Sequence, residues 1–105
     1  MKSGPIPPNH DAVCFHAQQC VEKLMKALLI LRGVIPPKTH DLIMLDHLIA
    51  PLGLDWSCPA EELRHLTRAA VGFRYPGESA EHDEAREAID YARGMRKKLL
   101  MLLKA

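Results

Sequence analysis

The chain has 105 residues, of which 48% are hydrophobic and only 5% are aromatic, and its formal net charge is +1. This length is typical of one domain with a single core. A composition rich in leucine and alanine and poor in aromatic residues favours helices packed on helices over a β-sheet. The near-neutral charge excludes a global basic field for DNA or an anionic membrane, although a local cationic cluster could still bind RNA or a nucleotide.

The cysteines and the N-terminal residues indicate a cytoplasmic protein. Cys14, Cys20 and Cys58 form no CxxC pair and no even disulfide set, so we expect reduced thiols. The N-terminal segment MKSGPIPPNH lacks the apolar core of a signal peptide. No apolar run approaches the roughly 20 residues of a membrane span. Cys14 and Cys20 are predicted to be small core residues of the first helix.

Three prolines within residues 1–10 predict an irregular lead-in, followed by one helical domain over residues 11–105. The first helix is predicted to end at about Arg32, because Gly33 favours the position just after a helix. Its main apolar stripe recurs at steps of three and four, at Val13, Ala17, Val21, Leu24, Leu28 and Leu31. Other apolar residues lie off that stripe, at Phe15, Met25 and Leu29. We therefore expect this helix to be central or to pack against a second copy, and a homodimer is the default expectation.

A ridge of polar residues follows another side of the same helix, at His16, Gln19, Glu22, Lys23 and Lys26. Glu22 and Lys26 form an i, i+4 pair in the order that stabilises a helix. An ordinary solvated face would explain the ridge as well as a binding site would.

Three further helices are predicted. The second follows Thr39 as its N-cap and places Leu42, Leu45, Leu48 and Ile49 inward, and Trp56 then closes one end of the core. The third starts near Pro59 and breaks at residues 75–77, because a residue before proline is pushed out of the helical region. The fourth starts near Ser79, and its apolar seam has near-heptad spacing at Ala85, Ala88, Ala92, Met95, Leu99 and Leu102. The expected fold is all-α, an antiparallel up-and-down four-helix bundle.

Histidines and arginines are the candidates for chemistry. No His pair has HExxH spacing and no thiol pair has zinc-finger spacing, so neither a metal nor a cofactor is predicted. Arg64 and Arg68 are one turn apart, and Arg74 precedes Tyr75 at a helix-breaking loop, where a guanidinium can meet a phosphate or carboxylate. Arg74 with His82 would suffice for metal-free RNA cleavage, in which the imidazole moves a proton and the guanidinium stabilises the phosphorane. The alternative is a solvated face of ion pairs.

Three segments, in this order and spacing, resemble the HEPN family: FHAQQCVEKLMKALLI at 15–30, THDL at 39–42 and FRYPG at 73–77. With the alanine-rich final helix, the resemblance extends from about residue 11 onward. It implies a helical bundle, often dimeric, whose gene neighbour is often a minimal nucleotidyltransferase, the two forming a toxin–antitoxin pair. Many members are metal-independent endoribonucleases with an Arg-x(4–6)-His motif, whereas others bind nucleotides or act as partner subunits.

The chain departs from the family pattern at three places. Arg74 and His82 are separated by seven residues, one more than the nuclease motif allows, and no His-x-Tyr ending follows His82. The proline-rich residues 1–10 stand where family members usually carry one more amphipathic helix. The HEPN-like bundle is therefore expected to lack the family's first helix.

The resemblance implies a nucleotide- or phosphate-binding set at His16, Gln19, Lys23, His40, Asp41, Arg74 and Tyr75. The implied function is a nucleotide- or RNA-binding subunit that pairs with a minimal nucleotidyltransferase, with neither DNA nor a membrane as partner. One alternative is an endoribonuclease toxin that uses Arg74 and His82 for catalysis, and another is a truncated, inactive domain. A structural interpretation of the same residues is that His40 and Asp41 only start a helix, while Glu22 holds Arg74 as an ion pair.

Overall fold

Four α-helices and no strand form in the part of the chain that this computed structural model describes, residues 10–71 and 82–104. The helices are α1 (His10–Leu31), α2 (Leu42–Ile49), α3 (Ala60–Val71) and α4 (His82–Lys104). A 3-10 turn at Ala50–Leu52 follows α2. The prediction of an all-α bundle is confirmed, whereas the predicted helix break at 75–77 and the start near Ser79 lie outside the described residues. None of the described helices combines the length and apolarity needed to cross a bilayer.

The end of α1 follows from a single glycine. Gly33 has a φ of 81°, in the left-handed region that side chains with a Cβ rarely adopt. Its N–H donates to the carbonyl of Ile30 at 3.0 Å, and the N–H of Val34 donates to the carbonyl of Leu29 at 2.8 Å. These two bonds form a Schellman motif, which satisfies carbonyls that the helix itself leaves open. The predicted end at Gly33 is confirmed.

The predicted N-cap of α2 is wrong by two residues. Asp41, not Thr39, is the cap, and its carboxylate accepts a hydrogen bond from the N–H of Ile43 at 3.0 Å. The hydroxyl of Thr39 instead accepts from the N–H of Asp41 at 3.1 Å. Aspartate and threonine both cap helices well, so the sequence alone does not decide between two caps this close together.

The buried core draws on all four helices, and α1 lies against each of the other three. The predicted central position of α1 is therefore confirmed, since Met25 and Leu29, which lie off its main stripe, are fully buried. Two predictions about α1 are wrong. Leu31 is 56% exposed because no described element covers that side of the last turn, and Cys20 is exposed because it lies over a groove rather than in the core.

Helices α3 and α4 pack antiparallel to each other. Near the start of α4, His65 Nε2 lies 3.5 Å from the carbonyl oxygen of Glu84, and the rings of His65 and Tyr91 meet edge to face at 5.3 Å. Near the other end, Lys98 Nζ donates to the carbonyl of Ser57 at 2.8 Å, just before α3 begins. The predicted seam of α4 is buried from Ala85 to Leu99, with alanines where the helices approach closely and larger side chains further along.

Candidate functional site

The most unusual feature of the core is a buried carboxylate. Glu22 on α1 is 6% exposed, although glutamate is rarely buried without partners. Its oxygens accept from three donors at 2.9 Å each: Gln18 Nε2, Lys26 Nζ and His40 Nδ1. Gln18 itself is 1% exposed. We call these four residues the Glu22 cluster, and its hydrogen bonds compensate for the burial of the charge.

The same hydrogen bonds determine the ionisation state of Glu22. Burial raises the pKa of Glu22, but hydrogen bonds from Gln18, His40 and Lys26, together with the positive charge of Lys26, lower it further than burial raises it. The net pKa is below the ordinary value, so Glu22 is a carboxylate at neutral pH. An ionised carboxylate can only accept hydrogen bonds, which means that His40 carries a proton on Nδ1.

His40 is held at two points but remains open to solvent. Besides the bond from its ring to Glu22, its carbonyl oxygen accepts from Gln18 Nε2 at 2.8 Å. Its side chain is nevertheless 70% exposed. With Nδ1 directed at the buried carboxylate, Nε2 is the ring nitrogen available to a ligand.

A pocket of about 430 Å³ lies where the start of α2 meets α3. We call it the arginine pocket, and it is lined by Asp41, Ile43, Arg64, Thr67 and Arg68. A hydrogen bond of 3.2 Å from the N–H of Leu42 to the hydroxyl of Thr67 joins the start of α2 to α3 beside this pocket. Because Asp41 directly follows His40, the Glu22 cluster and the arginine pocket adjoin the same short segment at the start of α2.

The two guanidinium groups of the pocket have no ion-pair partner among the described residues. Arg64 and Arg68 are exposed and one turn apart on α3. Neither has a carboxylate oxygen within 4.0 Å in the described part of the chain. The carboxylate of Asp41 accepts the capping bond from α2 instead. Two guanidiniums on one wall of a pocket are suited to a phosphate or carboxylate, whose oxygens match the guanidinium fork.

The predicted ridge of α1 divides into two faces. Glu22 and Lys26 face the start of α2, as the i, i+4 pair predicts, while His16 lines a separate groove against α4. Gln19 is half-buried and Lys23 is exposed on α1. At about 100° per residue, the five side chains of the ridge spread over about 120° around the helix, so they face more than one neighbouring element.

Three residues of the Glu22 cluster and the arginine pocket lie outside the predicted binding set. Gln18 was not predicted at all, although the spacing of 18, 22 and 26 in steps of four was a usable signal. Arg64 and Arg68 were noted as a pair one turn apart but not placed in the binding set. Of the predicted set, His40 and Asp41 both lie at the start of α2, His40 in the Glu22 cluster and Asp41 as the N-cap.

The remaining site predictions concern residues that the structure does not describe. Arg74 and Tyr75 lie outside the described residues, and so does the side chain of His82. Their predicted roles in catalysis and binding stay predictions. Among the residues that are described, no group of three or more His, Cys, Asp or Glu side chains could hold a metal ion.

Comparison with known proteins identifies the family of the chain. The HEPN domain matches residues 8–102, which is most of the chain. Searches of curated proteins and of solved structures gave no significant match. The chain belongs to the HEPN domain family.

Proposed function

We propose that this HEPN chain binds a phosphate-bearing nucleotide or RNA at the face formed by His40 and the arginine pocket. The observation that carries the proposal is the pair of guanidiniums, Arg64 and Arg68, which have no ion-pair partner among the described residues and line a concave pocket together with Asp41, the residue after the exposed His40. Such a cluster creates a local positive potential, although the net charge of the whole chain is only +1.

Each group has a definable task in such a site. Arg64 and Arg68 would each bind phosphate oxygens through two parallel N–H bonds. The hydroxyl of Thr67 accepts from the N–H of Leu42, so its own hydrogen can turn towards a ligand. With its proton on Nδ1 and directed at the Glu22 carboxylate, His40 would accept a hydrogen bond at Nε2 from a ligand hydroxyl or N–H group.

The test is binding of a fluorescein-labelled single-stranded RNA of about 12 nucleotides, a length within the range of known single-strand sites. Fluorescence anisotropy is measured in EDTA over a series of salt concentrations, with ATP as competitor. The variant Arg64→Ala/Arg68→Ala is compared with Lys97→Ala/Lys104→Ala. The latter removes the same charge from exposed positions in the C-terminal half of α4.

We expect the arginine variant to bind RNA at least about tenfold more weakly and the lysine variant to bind like the parent. The slope of log K against log salt should fall by roughly 1.4 for the two lost phosphate contacts on a single strand. An equal loss in both variants would show non-specific charge attraction and refute the site. Competition by ATP would assign the pocket to free nucleotides as well as RNA.

A minimal nucleotidyltransferase is the proposed protein partner, and a toxin–antitoxin-type system is the proposed setting. Family membership supports this proposal. The test is co-expression of the chain with a minimal nucleotidyltransferase encoded beside it, followed by co-purification and size-exclusion chromatography. A folded pair that elutes separately would count against the partnership. Growth arrest on expression of the HEPN chain alone, relieved by the partner, would support the toxin role.

Metal-independent RNA cleavage is the second candidate function, because Arg74 and His82 approximate the nuclease motif of the family with one extra residue between them. The binding reactions in EDTA are also run on a denaturing gel, beside Arg74→Ala and His82→Ala. Cleavage that disappears in both variants would establish the nuclease. Intact RNA with folded, binding-competent protein would leave binding as the function.

A further inference from the structure

Another concave surface, a groove, lies between α1 and α4, whereas the arginine pocket lies between α2 and α3. This α1–α4 groove has a volume of about 360 Å³, and its surface is almost entirely apolar. Its floor is formed by Val13, Ala17, Ile89 and Ala92. The proposed function uses none of these residues.

The spacing of the lining residues makes the groove complementary in shape to a helix. On α1 they are residues 13, 16, 17 and 20, and on α4 they are 89, 92, 93 and 96. Both sets step by three and four and span two turns, which corresponds to about 10 Å along each axis. Small residues at Ala17, Cys20 and Ala92 allow another backbone to come close. A third helix packs onto two others along a furrow of this form.

The rim of the groove is positively charged on its α4 side. Arg93 and Arg96 line it and are exposed, and His16 faces them from α1. In the described part of the chain, neither arginine has a carboxylate oxygen within 4.0 Å. A ligand that fits this surface therefore has an apolar ridge with acidic groups beside it.

We propose that the α1–α4 groove docks an amphipathic helix of a partner protein. The helix would carry apolar anchors at i, i+4 and i+7, with Asp or Glu next to them to meet Arg93 and Arg96. Two turns of groove match the three anchors that such helices use. A second copy of the chain fits less well, because two copies placed groove to groove would bring both arginine pairs into one interface.

The probe is a fluorescein-labelled helical peptide of about 15 residues, long enough for four turns. It has leucine at the anchor positions and glutamate beside them. One matched peptide has lysine in place of each glutamate, and another has serine in place of each leucine. Binding is measured by anisotropy, and the position of the peptide is measured by the rate at which iodoacetamide alkylates the exposed Cys20.

The decisive protein variant is Arg93→Glu/Arg96→Glu, and its control is Lys97→Glu/Lys104→Glu, which changes the charge equally elsewhere on α4. We expect the glutamate peptide to bind the parent and to slow alkylation of Cys20. The arginine variant should bind that peptide at least about tenfold more weakly and gain affinity for the lysine peptide, whereas the control should not. Circular dichroism checks that each variant folds.

Several outcomes would overturn the proposal. Equal binding of the glutamate and serine peptides, no binding at all, or binding that leaves alkylation of Cys20 unchanged would each exclude helix docking in the groove. A dimer that dissociates only in Arg93→Glu/Arg96→Glu would assign the groove to a second copy. Loss of RNA binding in that variant would assign the rim to RNA. Because the RNA test uses other residues, either proposal can fail without the other.

Discussion

Replacing the buried carboxylate of Glu22 by an amide is expected to destabilise the fold, although the side chains have nearly the same shape. In Glu22→Gln one carboxylate oxygen becomes an NH2 group, which would face donors. The remaining oxygen cannot serve all three donors that now lie at 2.9 Å, namely Gln18, Lys26 and His40. The variant therefore leaves at least one donor without an acceptor.

The size of the effect depends on which donor loses its acceptor. Gln18 and His40 both donate to Oε1, whereas Lys26 donates to Oε2. An amide that keeps its oxygen at the Oε1 position still accepts from the buried Gln18, so Lys26 is the donor left facing the new NH2 group. A hydrogen bond to a charged group contributes about 1.5–3 kcal/mol, and Lys26, at 24% exposure, is partly rehydrated, so we expect a loss of about 1–2 kcal/mol in the free energy of unfolding. For a domain of this size, the loss corresponds to a decrease in Tm of about 4–16 °C.

The stability difference should also depend on pH. The pKa of Glu22 in the folded protein is below its usual value of 4.5. The stabilisation by its charge is thus fully present above pH 4.5 and is lost as the pH falls through the folded pKa. The gap in unfolding free energy between the parent and Glu22→Gln should be largest near neutral pH and should narrow below pH 4.5.

Urea unfolding followed by far-UV circular dichroism at several pH values measures both effects. Asp90→Asn makes the same chemical change at an exposed position of α4 and should cost less than about 0.5 kcal/mol. If Glu22→Gln were as stable as this control, or if its deficit were independent of pH, the proposed role of the Glu22 cluster would be wrong.

Three further predictions test other parts of the fold. Leu45→Ala, at a fully buried position of α2, should lower the free energy of unfolding by about 2–5 kcal/mol, as measured in urea. Met44→Ala, at the neighbouring position that is 47% exposed, should lower it by less than about 1 kcal/mol. Similar losses in the two variants would contradict the burial pattern. Trp56→Phe removes the 2.6 Å hydrogen bond from Nε1 to Asp46 and should lower the unfolding free energy by about 1–2 kcal/mol, and an unchanged urea midpoint would refute that role. Burial and the nearby negative charge of Glu62 raise the pKa of Cys58 from 9.0 to about 11, so its thiolate fraction at pH 8 is about a hundredfold smaller than that of an ordinary thiol. Iodoacetamide should therefore alkylate Cys58 far faster in urea-unfolded protein than in folded protein, and equal rates read by peptide mass spectrometry would contradict this.

The four helices and the end of α1 could be predicted from the sequence, whereas the N-cap of α2 could not. Apolar residues that recur every three or four positions identify a helical face without knowledge of the partner, and Gly33 ends α1 through a local backbone preference. The α4 seam from Ala85 to Leu99 was predicted for the same reason. Family membership also followed from the order of short segments along the chain and is confirmed by the match over residues 8–102.

Which polar residues meet depends on how the helices pack against one another. Glu22 and His40 are 18 positions apart, and their contact depends on how the segment before α2 returns along α1. Arg64 and Arg68 become part of a pocket only because the start of α2 lies against α3. A helical pattern determines the angle of each side chain about its own axis, whereas packing between helices determines what that side chain faces. For this reason the sequence identified the bundle, but the structure was needed to locate the Glu22 cluster, the arginine pocket and the α1–α4 groove.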